Sequence, residues 1–82
     1  MDNLSAFFNV FDAYVSATQM AEGTVSRLVL NGGSRASDLR AGRSDIGIRR
    51  LERGLQWFSD NWPDSAIWPE MVRRPARSGV TA

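Results

Sequence analysis

The chain has 82 residues and a mass of 9.1 kDa, is 43% hydrophobic and 23% charged, and carries a formal net charge of +1. A chain this short buries roughly 60–65% of its unfolded surface, which allows one modest core and no cofactor fold beside a substrate domain. It contains no cysteine and no histidine, so disulfide frameworks, thiol nucleophiles, Cys/His zinc sites and imidazole general bases are excluded.

The first predicted element covers residues 4–18, where Leu4, Phe7, Phe8, Phe11, Tyr14, Val15 and Thr18 recur at steps of three and four. That spacing gives one apolar stripe on an amphipathic helix, with Asp2 or Asn3 as the N-cap. A second helix of about nine residues starts at Ala21 or Glu22, buries Val25, Leu28, Val29 and Leu30, and stops at Asn31-Gly32-Gly33. Ser34 then offers a cap for a short third helix over residues 35–41, ended by Gly42. Before its last residue, Ala41, only Ala36 and Leu39 are apolar within it, so one narrow stripe is buried and the remaining surface is free. Ser44 or Asp45 caps a fourth helix over residues 46–60, with Ile48, Leu51, Leu55 and Phe58 on its buried stripe. Gly47 and Gly54 each weaken that helix by up to ~1 kcal/mol, so it relies on packing. Pro63 ends it, and no alternating strand pattern appears anywhere. The expected fold class is all-α: a four-helix helix-turn-helix domain over residues 1–61.

Trp-Pro then occurs twice, at Trp62-Pro63 and Trp68-Pro69. Two large rings are uncharacteristic of a disordered segment, so residues 62–72 are expected to pack on the core or on a second subunit. Residues 73–82 read as a flexible, solubilising tail. No apolar run approaches the ~18–20 residues of a membrane span, and the first residues lack a basic-then-apolar leader pattern. The expectation is a cytoplasmic protein without membrane contact.

All ten cations are arginine, and they are unevenly placed. Residues 1–22 carry only Asp2, Asp12 and Glu22, whereas residues 23–58 carry seven arginines against Asp38, Asp45 and Glu52, a net of +4. The basic middle coincides with two short helices joined by a glycine-containing turn, which is the outline of a helix-turn-helix. Such a motif presents its second helix to the DNA major groove, and dimers read half-sites one turn apart. Ser34, Arg35, Ser37 and Asp38 open the third helix with side chains suited to base edges: Arg35 to guanine, Ser34 or Ser37 to a base or phosphate, and Asp38 to cytosine. Arg40 and Arg43 follow as candidate phosphate contacts. A competing register places the recognition helix at residues 22–28, with Thr24 and Arg27 exposed and Val25 and Leu28 buried. The register at residues 34–41 is preferred because that helix has the weaker core stripe and follows the tighter turn.

The run Ser34-Arg35-Ala36-Ser37-Asp38-Leu39-Arg40-Ala41-Gly42-Arg43 resembles the recognition helix and exit of phage repressor and Cro-like domains: a polar start, a buried aliphatic residue, then glycine and a basic residue. The stretch from Asp45 to Leu55 resembles the capped fourth helix that closes the same fold, and the likeness extends over residues 4–58. It is also similar to small prophage-type regulators of α-proteobacterial style. Leu28 and Asn31-Gly32-Gly33 stand where the family has a small alanine facing a glycine, and Arg40 stands where an acid is common. The resemblance implies a cytoplasmic transcriptional regulator, a homodimeric repressor on double-stranded DNA, with no cofactor, metal or catalytic residue. A second expectation is a small helical interaction module (adaptor, antitoxin or anti-repressor) whose Trp62 and Trp68 engage a protein partner. An enzyme using Asp38, Asp45, Asp60 or Asp64 on a divalent cation is the weakest reading, because helix capping and arginine pairing account for those residues.

Overall fold

In a computed structural model, which describes residues 2–78, four helices follow one another in chain order: α1 (Asn3–Thr18), α2 (Glu22–Leu30), α3 (Arg35–Arg40) and α4 (Ile48–Asp60). There is no strand among the described residues, so the all-α expectation holds. None of these helices is long and apolar enough to cross a membrane.

The Asp2 carboxylate accepts the Ser5 backbone N–H at 2.7 Å and caps α1. The helix ends where Gln19 turns left-handed at φ 60° and returns its N–H to Val15 O. Its stripe of Phe7, Phe8, Val10, Phe11 and Tyr14 is buried and forms the centre of the core with Phe58 of α4. Ring centroids lie 5.8 Å apart for Phe7–Phe58 and 5.2 Å for Tyr14–Phe58, within the range where tilted and edge-on aromatic pairs attract. α4 passes so close to α1 and α2 at Gly54 that a Cβ there would lie 2.6 Å from Phe7 Cε1 and 3.1 Å from Val29 Cγ1. Gly54 therefore offsets its poor helix propensity by permitting the crossing.

α2 packs against the other three helices, whereas the α3 backbone approaches α2 alone and reaches α1 through the Arg40 side chain. Asn31, at φ 61°, supplies the left-handed residue that ends α2; Gly32 and Gly33 do not adopt positive φ. α3 closes one residue earlier than expected, with Gly42 at φ +76° as its stop. The Arg43 N–H bonds Asp38 O at 2.9 Å and the Gly42 N–H bonds Leu39 O at 3.3 Å, the paired bonds of a Schellman motif. α4 starts two residues later than expected. Gly47 is its N-cap residue, and neither Ser44 nor Asp45 caps it, because Ile46 is drawn into the core.

The two Trp-Pro pairs build the same closed turn twice. The indole N–H of Trp62 donates to Ala66 O and that of Trp68 to Val72 O, at 2.9 and 2.7 Å. The Ala66 N–H returns to Pro63 O and the Val72 N–H to Pro69 O, each at 3.1 Å. Trp62 is buried against Tyr14 and meets Trp68 at a centroid distance of 4.8 Å. The segment thus packs on this chain's own core. Residues 73–78, expected to be a free tail, are instead bonded across α4, and residues 79–82 lie outside the described part.

Candidate nucleic-acid interface

The α2–turn–α3 corner is fixed by one buried hydroxyl. Ser26 is fully buried; its hydroxyl donates to Gly32 O and accepts the Ala36 N–H at 2.9 Å. One side chain therefore satisfies a turn carbonyl and an otherwise unpaired amide in the first turn of α3. Ala36 and Leu39 face inward and are buried, while Ser34 and Ser37 are exposed, the Ser37 hydroxyl donating to Ser34 O at 3.0 Å. Asp38 is half-buried and takes the Arg43 guanidinium at 3.0 Å.

Four of the expected DNA contacts are thus engaged within the protein: Asp38 and Arg43 with each other, and Arg35 and Arg40 with other elements. Arg35 is half-buried; its Nη2 donates to Asp45 O at 3.1 Å, and its buried Nε has no partner. It tethers the 41–47 loop to the start of α3. Arg40 lies over the Phe8 ring at 4.2 Å, bonds Glu22 at 2.9 Å and pairs with Asp12. Partial burial opposes its charge, but hydrogen bonds and attraction from the Asp12 and Glu22 carboxylates prevail and raise its pKa. Arg40 therefore joins α3 to α1 and α2, which places acids beside the C-terminal end of α3.

Other arginines remain available. Arg27 is exposed on α2, and its guanidinium reaches the turn, where a Cβ on Gly33 would lie 3.7 Å from it. Arg49 and Arg53, one helical turn apart on α4, and Arg73 are exposed and make no side-chain hydrogen bond or ion pair among the described residues. Thr24 is exposed, but Leu28, expected to be buried in the 22–28 register, is 49% exposed.

Sequence reading missed a third use of arginine. Arg50 donates to Leu30 O at 3.0 Å at the end of α2, while Arg74 and Arg77 both donate to Ser59 O near the end of α4, at 2.9 and 3.1 Å. The last carbonyls of a helix lack internal partners and carry the negative end of its dipole, so a guanidinium is a fitting cap. These pairings join residues 15 to 20 apart and have no local sequence signal.

Trp57, half-buried against Tyr14 with centroids 5.5 Å apart, belongs to the core edge. No group of three or more acidic residues able to hold a metal ion occurs among the described residues. In comparisons with known proteins, no family model, no curated protein and no solved structure matches the chain.

Proposed function

We propose that this chain is a sequence-specific, double-stranded DNA-binding regulator of helix-turn-helix type that places α3 in the major groove and acts as a homodimer on a two-fold site. One observation carries the reading: the α3 backbone approaches α2 alone and leaves Ser34 and Ser37 exposed, while the exposed Arg27 reaches the preceding turn. Ser34 and Ser37 contact base edges, Arg27 and Arg43 clamp phosphates, and Asp38 orients Arg43. Arg35 and Arg40 hold the helix in place. The embedding of α2 among the other three helices favours α3, rather than residues 22–28, as the reading element.

The test is selection of bound duplexes from a random pool, with sizing of the complex. A two-fold motif bound by two chains is expected, with affinity that falls steeply with salt as counterions are released. Arg27→Ala should reduce the salt slope by about one unit across all sequences, whereas Ser37→Ala should relax one base position. Failure to enrich any motif, together with a salt-independent affinity, would refute the proposal.

A further inference from the structure

Residues 73–78 cross the outer face of α4 without helix or strand, and their fastening is polar. Gln56 donates to Ala76 O at 2.7 Å, and the buried Ser59 hydroxyl donates to Pro75 O. Arg74 returns to the Ser59 hydroxyl and carbonyl at 3.1 and 2.9 Å, and Arg77 bonds Ser59 O and Trp62 O, each at 3.1 Å. Asp60 accepts the Ser78 N–H at 2.6 Å. Apolar burial contributes little: Val72 is buried before the segment, but within it only Pro75 is half-buried and the rest are exposed. Grooves of about 470 and 430 Å³ flank the segment, and Arg74, Pro75 and Ala76 line both. The segment separates them: Leu55 and Gln56 line one groove and Trp62 the other, with Ser59 bonded to the segment between.

The last turn of α4 thus reads residues 73–78 as a binding site reads a peptide. The helix-end carbonyl of Ser59 and the carbonyl of Trp62 just beyond it accept two guanidiniums three residues apart, and Gln56 and Ser59 bond the main chain between them. The segment is held by polar bonds with little apolar side-chain burial, and segments held this way open at lower free energy than a packed core. We propose that the surface running from Gln56 on α4 to Trp62, just beyond the helix, is a recognition trough for an extended Arg-Pro-x-Arg segment of a partner protein, and that residues 73–78 occupy it as an intramolecular competitor. This trough is built from α4 and the C-terminal segment, and is independent of the α2–α3 face.

A labelled peptide spanning residues 72–78, titrated by fluorescence anisotropy into the full chain and into its Arg74→Ala/Arg77→Ala variant, tests this. The tethered segment acts at an effective concentration in the millimolar range, so weakening it should tighten peptide binding by about 10–100-fold. A peptide with both corresponding arginines replaced by alanine should lose that binding. Equal affinity for the two chains, or no binding to a variant that melts like the native chain, overturns the proposal. Should the variant fail to fold, amide exchange in the native chain decides. The Ser78 N–H must exchange faster than the core amide of Phe58, and equal rates would show that the segment opens only with the core and overturn the proposal.

Discussion

Replacing Gly54 by alanine tests the tightest crossing in the fold. In an isolated helix this change gains up to ~1 kcal/mol. Here the added methyl would lie 2.6 Å from Phe7 Cε1 and 3.1 Å from Val29 Cγ1. Phe7 is fully buried, with the Phe8 and Phe58 ring centroids at 5.3 and 5.8 Å, so its ring cannot retreat without moving the core. Overpacking costs about 1–3 kcal/mol; a contact this close to a fully buried ring belongs in the upper part of that range, about 2–3 kcal/mol, which less the propensity gain of up to ~1 kcal/mol predicts a net loss of about 1–2 kcal/mol. For a domain of this size that lowers Tm by about 5–15 °C. Urea and thermal unfolding followed by far-UV circular dichroism measure the change. Gly47→Ala serves as control for the added methyl, since a Cβ there meets nothing within 4 Å; it should cost no more than about 1 kcal/mol, the difference between glycine and alanine as an N-cap. A Gly54→Ala chain as stable as the native one, or more so, would refute the close approach of α4 to α1 and α2.

Three further outcomes follow from other particular contacts. Ser26→Ala leaves the buried Ala36 N–H and the Gly32 carbonyl without their common partner, and should cost about 1–3 kcal/mol in urea unfolding; an unchanged midpoint would remove the hydroxyl's role in the corner. Arg40→Ala removes the Phe8 stacking and both carboxylate pairs. Because these groups are substantially exposed, the loss should be about 1 kcal/mol, accompanied by faster amide exchange over residues 35–41 and little change over α1. The Ser78 N–H holds the Asp60 carboxyl below its ordinary pKa. That interaction is intact above the ordinary carboxylate range and is lost as pH falls through the lowered folded value. The Ser78 amide resonance should therefore shift with the Asp60 titration, and Asp60→Asn should abolish that dependence.

The extent to which the sequence could be read follows from the range over which each interaction acts. Apolar periodicity, the Asp2 cap and the Gly42 stop are local, so α1, α2 and the existence of α3 and α4 were legible before any packing was considered. The start of α4 was less legible, because Ile46 belongs to the core although Ser44 and Asp45 carry capping side chains. Among the interface residues, Ser34, Ser37, Thr24 and Arg27 have the expected exposure. The fates of Arg35 and Arg40 depended on Asp45, Asp12, Glu22 and Phe8, which lie 10 to 32 positions away.

By itself the sequence determined the all-α class, the short third helix after a double-glycine corner, and the concentration of arginines in residues 23–58. These are properties of residue type and near-neighbour spacing. Only the tertiary structure decided which arginines remain free, that Gly54 is the crossing point, and that the C-terminal segment closes over α4. Each of those depends on which helix ends, rings and carboxylates packing brings within reach of a long guanidinium side chain, or of a missing Cβ, and spacing along the chain does not encode it.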